Sequence, residues 1–506
     1  MTPTVEVFTH NFKVTNYDHA FYQLLKEYCR PLLQMDMVPG AGGRYRPVVK
    51  KVFAASPASR KEMRFCISKL EDFWIWFGAR GWDKSRFTVY SHELYTPAQL
   101  VSKFFPHWEP RDYQIPVIDF CAAPNEPIRV VVVQTGKGKG LISAKAVEKL
   151  QHRTAVIVPA MYVEKWYDEL KTMYIDVEKR MLMVRGVKQL FGLVTMAKLG
   201  QLDHDFLLIS TTSMQMYLSA WEKEPEYIEE RSCKPEEFFK ILGVGTKIID
   251  ELHKGIHLNV KMDLYTHIPK GLYLTATIKA SNPFVNRMTE MAYPLAHRYQ
   301  GLAYDRYIGV VAMEYRLNNP KALRWLGKRK QYSQTTFEAS ILRTNRILEN
   351  YTRMIVELVK DTYLDVREKG QTCLVFAGSI DMCTHLTKAL RKAYPNETIG
   401  RYVEDDPYSN LMENDIVVST ILSAGTAIDK YGLLTVLMTI GVDSIQANEQ
   451  TMGRLRRLKD WPDTTPMFFY LVCADIEQHV KYHRSKVELL KDKALYQRYE
   501  IIPYRI

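Results

Sequence analysis

From about residue 130 onward, short apolar runs alternate with helix-length, charge-rich segments. Val130–Val133, Ala155–Val158, Phe206–Ile209, Lys247–Ile249 and Leu272–Leu274 read as buried strands. Strands that alternate with helices in this way build a parallel sheet with α/β crossovers. The rhythm returns at Thr372–Phe376, Ile416–Ser419, Thr435–Ile440 and Met467–Val472. Between the two series, Tyr293 to Gln334 has a weaker pattern and many polar residues, which places a boundary between two α/β units near its start. The first hundred residues follow another pattern and predict a small α+β domain. Within it, Lys61 to Phe77 predicts an amphipathic helix whose Phe65, Phe73, Trp74, Trp76 and Phe77 are expected to be core. The tail from about Ile476, rich in Lys, Arg and Tyr, reads as helix. The expected division is therefore 1–98, 99–294 and 295–506.

Composition narrows the class. A chain of 506 residues is too long for one core. Hydrophobic residues at 46% and charged residues at 25% are ordinary globular values. Lys and Arg (69) exceed Asp and Glu (57), a net +12, which suits a polyanionic partner without requiring one. The seven cysteines (Cys29, Cys66, Cys121, Cys233, Cys373, Cys383, Cys473) form no C-x-x-C pair, which argues against a disulfide framework and a structural zinc site. No secretory h-region is visible at the N-terminus, and no apolar run approaches the ~18 residues of a membrane span. A cytoplasmic protein without membrane association is expected, as a monomer.

The first strand of the first series runs into Gln134-Thr135-Gly136-Lys137-Gly138-Lys139-Gly140, and a good helix start follows. Such a turn lets consecutive N–H groups face a phosphate, the helix N-terminus adds partial positive charge, and a lysine supplies the full one. Thr135, Gly136, Gly138, Lys139 and Gly140 are the expected nucleotide contacts, with Lys139 reaching the β and γ phosphates. The usual loop continues from Lys to a Ser or Thr that binds Mg²⁺. Here Gly140 follows, so water fills that place, or Ser143 reaches in from one turn later, or turnover is weak. Further on, Lys247-Ile248-Ile249 ends in Asp250-Glu251-Leu252-His253. Two carboxylates at a strand end sit where ligands of open α/β sheets collect. Asp250 can hold Mg²⁺ and Glu251 can deprotonate the attacking water.

Asp250-Glu251-Leu252-His253 resembles the D-E-x-H box of superfamily 2 helicases, and related pieces occur in order. Pro110-Arg111-Asp112-Tyr113-Gln114 is similar to the R-x-Y-Q element, which implies nucleotide contacts by Arg111 and Gln114, with Gln114 on the adenine edge. Leu274-Thr275-Ala276-Thr277 resembles the T-A-T motif that couples hydrolysis to strand contacts. Gln450-Thr451-Met452-Gly453-Arg454-Leu455-Arg456-Arg457 resembles Q-x-x-G-R-x-x-R, which implies catalytic roles for Gln450, Arg454 and Arg457, with Arg457 the better arginine finger. Thr426-Ala427-Ile428-Asp429 resembles the T-G-x-D stretch, with Ala427 where glycine is usual, and implies a nucleotide contact by Asp429. The resemblance spans about Pro110 to Arg457. It implies two tandem RecA-like domains behind an N-terminal accessory domain, ATP and Mg²⁺ as cofactors, and hydrolysis coupled to unwinding or translocation.

Family members grip a strand mainly through its phosphates, which implies contacts at Pro159-Ala160, Ser210-Thr211-Thr212, Thr275 and Ser423–Thr426; plain loop capping is the alternative. Independently, Arg44, Arg46, Lys50, Lys51, Arg60, Lys61 and Arg64 make a basic run interrupted only by Glu62, and are read as phosphate contacts. Lys321, Arg324, Lys328, Arg329 and Lys330 form a second basic cluster. A small basic domain before a compact motor is similar in layout to phage recombination and repair helicases of the UvsW kind. That implies branched DNA (forks, junctions, R-loops) as substrate. An RNA helicase, or a nucleotide-gated clamp with weak ATPase, are the alternatives.

Overall fold

The computed structural model describes residues 2–39, 45–55, 62–134, 136–280, 282–300, 305–327, 330–404, 406–424 and 430–506, with the backbone alone for 36–39 and 45–48. The chain divides into two compact units: Met1–Val133 with Lys137–Leu302, and Ala303–Ile506 with Gln134–Gly136.

The first unit opens with a five-stranded sheet in the order Phe53–Ala55, Met63–Cys66, Asn11–Thr15, Thr4–Val7, Thr88–Ser91. Its pairs are antiparallel except Thr4–Val7 with Thr88–Ser91. Side chains of a strand alternate between faces, and the two faces here have different work. Phe12, Val14 and Phe65 turn toward Phe21 on the helix His19–Cys29 and Phe73 and Phe77 on the helix Leu70–Gly78, forming the region's own core. Met63–Cys66 is therefore a strand where a longer helix was expected, because its alternate residues already have a core to enter. Phe65, Phe73 and Phe77 are core, as expected, and the half-buried Trp74 and Trp76 pack against it.

The opposite face carries Asn11, Lys13 and Arg64, and it docks on the rest of the unit. Asn11 Nδ2 donates to the carbonyls of Asp263 (2.8 Å) and Thr266 (3.1 Å). Lys13 and Arg64 are directly opposite each other across the strands, a pairing of like charges that is unfavourable alone. Glu236 resolves it, with Lys13 Nζ at 3.0 Å and Arg64 Nη2 at 2.5 Å from the same carboxylate oxygen. Burial pushes the Glu236 carboxyl up, but Arg64 and Lys13 more than offset this and hold it at about 2. Arg64 also bonds Glu62 and its side chain is 3% exposed. This corrects the expectation for one residue of the basic run: Arg64 is an internal ion-pair member, not a phosphate contact.

The six-stranded sheet of this unit is wholly parallel, in the order Met181–Val184, Phe206–Ser210, Thr154–Val158, Thr246–Ile249, Lys270–Thr275, Ile128–Val132. Lys247, counted at the head of an apolar run, is fully buried and pairs with Asp263 at 2.5 Å, while Tyr273 and Tyr293 hydroxyls donate to the same carboxylate.

The second unit is a seven-stranded parallel sheet in the order Ile399–Tyr402, Ile416–Ser419, Thr372–Phe376, Leu433–Met438, Met467–Cys473, Gly309–Arg316, Tyr496–Arg505. Its two faces bury separate cores. Val311, Met313, Cys373, Val375 and Val418 pack with the helices Asn345–Val359 and Ile380–Ala393. Their strand neighbours Val310, Ala312, Leu374, Phe376 and Val417 pack with Leu411, Met452 and Leu490 of three other helices. Two expectations are corrected here. Gly309–Arg316, inside the weakly patterned stretch, is an interior strand. The tail is not all helix: Glu477–Leu490 is, but Tyr496–Arg505 forms an edge strand, where Pro503 is tolerated. All seven cysteines are free and buried. Among the described residues, no helix is long and apolar enough to cross a membrane.

Replacing Arg64 by Ala leaves Glu236 buried with a weakened partner set. The Arg64→Ala protein is expected to lose about 3–5 kcal/mol of stability, seen in urea as a lower unfolding midpoint at unchanged slope. A loss below about 1 kcal/mol would show that this pair does not tie the N-terminal sheet down.

Candidate active site

In a parallel sheet every strand delivers its following loop to the same edge. Ile128–Val132, Lys270–Thr275 and Thr246–Ile249 are consecutive neighbours, so the glycine-lysine loop, the Thr-Ala-Thr stretch and the Asp-Glu pair emerge side by side. Gly138 caps the helix Lys139–Leu150 in the left-handed region (φ 78°), and Gly136 has φ 87°. Both conformations favour glycine over any residue with a side chain. A Cβ on Gly138 would lie 2.5 Å from Gln114 Nε2. That amide donates to the Lys137 carbonyl at 3.0 Å, and the Tyr113 hydroxyl donates to the same carbonyl at 3.2 Å. The Arg111 N–H holds Gln114 by donating to its Oε1 at 2.9 Å. Gln114 is buried and latches the loop from behind, whereas the Arg111 side chain is exposed.

Lys139 Nζ is shielded from solvent and holds no hydrogen bond; its ion-pair partner is Glu251, 3.5 Å away. Glu251 sits in the left-handed region (φ 55°), which costs a non-glycine residue about 1–2 kcal/mol. Strain of that size at a carboxylate facing a shielded ammonium fits a working position better than a packing one. Asp250 accepts from Trp166 Nε1 at 3.2 Å and from the Glu251 N–H at 2.9 Å. Burial pushes the Asp250 carboxyl above its ordinary range; Lys139 opposes this and the Glu251 charge adds to it. Beyond Glu251, His253 Nε2 is 3.4 Å from its carboxylate and His253 Nδ1 is 2.8 Å from Thr275 Oγ1. The Thr275 hydroxyl donates to the Thr277 carbonyl at 2.6 Å and accepts from the Thr277 N–H at 3.2 Å. Burial lowers His253 to about 4, which keeps it neutral at pH 7, so its ring donates from one nitrogen only. The three loops are thus joined by contacts of Lys139 with Glu251 and of His253 with Glu251 and Thr275.

Several expectations change at this resolution of detail. Ser143 is buried and its hydroxyl donates to the Gly140 carbonyl at 2.9 Å, so it does not reach into the site. Thr275, expected to touch nucleic acid, is fully buried with its hydroxyl committed to His253 and Thr277, a coupling position instead. Ser210 is buried and caps the helix Thr211–Lys223 by accepting from the Ser213 N–H. Pro159 and Thr211 lie partly exposed at the same sheet edge. Lys50 is half-buried with its ammonium 5.9 Å from the Phe284 ring centre, and Lys51 is exposed. Thr135, Thr426, Asp429, Arg44, Arg60 and Lys61 lie outside the described residues, and Arg46 is described by its backbone alone. Trp166, Tyr113 and His253 act on the site without having been singled out; His253 was legible from its box, whereas Trp166 has no motif around it.

In the second unit, Ser444 caps the helix Ile445–Met452 and Gly453 ends it. Gln450 is half-buried on that helix, and its carbonyl accepts from Arg454 Nε at 3.2 Å. Arg454 is buried. Arg457 has a side chain 64% exposed and grips Asp305 through Nε (3.1 Å) and Nη2 (2.6 Å).

The family model described as "Type III restriction enzyme, res subunit" matches residues 107–280. Among curated proteins no match is found. Among solved structures, S. cerevisiae Dbp5 bound to RNA and ADP BeF3 superimposes with a TM-score of 0.50 at 9% identity, covering 78% of this chain and 90% of that one. A complex of a Dbp5 variant with Gle1 and IP6 gives 0.48 at 10% identity, covering 78% and 89%. The solved-structure match shows the fold, two tandem RecA-like domains, and the family model matches the segment that holds the glycine-lysine loop and the Asp-Glu box.

Proposed function

We propose that this chain is an ATP-driven motor that separates or migrates DNA strands at forks, junctions and R-loops. The observation that carries the ATP reading is Lys139, a shielded ammonium without a hydrogen bond at the N-terminus of a helix. A phosphate oxygen fits there, because it would complete the lysine and meet the loop N–H groups and the helix N-terminus together. The raised Asp250 carboxyl fits a cation-binding role for the same reason: positive charge nearby reverses the cost of keeping it ionised. Mg²⁺ bound with the nucleotide supplies neutralisation of the phosphate charge, and Asp250 is the carboxylate that would hold it. Glu251 would orient the attacking water and take its proton. From the second unit we assign Gln450, Arg454 and Arg457 to the nucleotide, with Arg457, exposed and held by Asp305, as the finger.

The DNA part rests on charge and placement. The net charge is +12, and Lys50 and Lys51 belong to the same basic run of the sequence as Arg44, Arg46, Arg60 and Lys61. Pro159 and Thr211 stand at the sheet edge of the active site. Such groups suit a backbone and not base edges, so RNA is the competing outcome of the same measurement.

Mg²⁺-dependent ATP hydrolysis measured alone and with single-stranded DNA, duplex, fork or RNA of equal length is expected to be greatest with the fork; equal or greater stimulation by RNA would overturn the substrate assignment. Lys139→Ala should reduce turnover on the order of 100-fold or more, and unimpaired hydrolysis would remove the phosphate role. Glu251→Gln should still bind ATP while hydrolysing roughly 100-fold slower or worse; normal turnover would place the base elsewhere. Each alanine at Lys50, Lys51, Arg60 or Lys61 is expected to flatten the salt dependence of fork binding by about one unit of slope, and an unchanged slope would refute that contact.

A further inference from the structure

We propose that Glu169 is a metal-side carboxylate of the nucleotide site, standing in for the hydroxyl that the loop lacks at Gly140. The inference rests on the ATP reading above and adds a residue to it. A Cβ built on Gly140 would lie 2.7 Å from Glu169 Oε2, and 3.7 Å from both Glu169 Cδ and Met173 Cε. The carboxylate oxygen therefore occupies the space that a serine or threonine side chain would enter. Glycine at 140 is what makes room for it.

The helix Val163–Met173 brings the group there. Trp166 donates to Asp250 Oδ2 at 3.2 Å, and Glu169 is one turn further along, on the same face. Its ion-pair partner is Lys165, whose Nζ is 3.5 Å from Oε1, with side chains 45% and 34% exposed. A pair so exposed is a weak tether, and it leaves Oε2 turned to the loop. A carboxylate oxygen at the Gly140 turn, with an ammonium that has no hydrogen bond in the same loop, is placed to meet a divalent cation that arrives with phosphate. Mg²⁺ is bound through one or two carboxylates, waters and nucleotide oxygens.

The test uses the full chain, a fluorescent non-hydrolysable ATP analogue and Mn²⁺, with free Mn²⁺ followed by electron spin resonance and analogue binding in EDTA followed by fluorescence. Glu169→Gln is expected to weaken Mn²⁺ in the ternary complex by about 10-fold or more, with analogue affinity in EDTA held within about 2-fold. Gly140→Ser added to Glu169→Ala should recover most of the Mn²⁺ affinity that Glu169→Ala loses, because a hydroxyl enters the vacated space. Unchanged Mn²⁺ affinity in Glu169→Gln overturns the inference and leaves the ATP reading standing. Equal loss of analogue binding in EDTA would assign Glu169 to structure and also overturn it. Absence of analogue binding by the unsubstituted protein would overturn the ATP reading and this inference together.

Discussion

A lysine ammonium held out of water is the constraint around which the first unit's working edge is arranged. Lys139 has Glu251 at 3.5 Å and no hydrogen bond. Shielding it is possible only because the loop is shaped tightly, by left-handed Gly136 and Gly138 and by Gln114 and Tyr113 behind the Lys137 carbonyl. A buried cation without adequate partners is costly, and the cost is tolerable where a polyanion is to arrive. The same logic explains the neighbouring acids: Asp250 is raised by burial and by Glu251, and both relax when cationic charge enters.

Beside this edge, the first unit balances two other clusters of buried charge. Glu236 balances Lys13 and Arg64, and Asp263 balances Lys247 while accepting from two tyrosines. These sites are closed networks of the structural kind, in which each donor meets an acceptor. The contrast separates function from scaffolding in a chain with many buried ionisable groups. It also gives the N-terminal sheet a mechanical part. Asn11 and Arg64 seat it on the helix Ile256–Tyr265 and its surroundings, directly after the Asp-Glu box in sequence, so a load on the basic N-terminal segment would be borne by the helix that follows that box.

Much of the architecture was legible from residues alone. Nine apolar runs located nine of the parallel strands, because a strand buried on both faces must be apolar at successive positions. The glycine-lysine loop, Asp250-Glu251 and the arginine run declare themselves because phosphate chemistry demands particular groups at fixed spacing. Of the strands of the two parallel sheets that escaped notice, Met181–Val184 is short and apolar, and the other three have mixed polarity. Gly309–Arg316 contains Glu314 and lies in a polar neighbourhood, and Tyr496–Arg505 is an exposed edge strand, so neither carries a continuous apolar signal.

What the sequence by itself determined was the class of fold and which groups are candidates to face a phosphate, since both follow from local composition. What only the tertiary structure decided was which groups face each other. Arg64 belongs to a basic run in sequence, yet pairing across strands turns it inward to Glu236. Thr275 and Ser143 carry hydroxyls at inviting positions, yet packing commits them to His253 and Gly140. Glu169 has no motif, yet a helix packed on the sheet lays it against Gly140. Spacing along a chain specifies what a loop can bind; distance through space is set by strand order and helix packing, and these bring together residues that sequence keeps far apart.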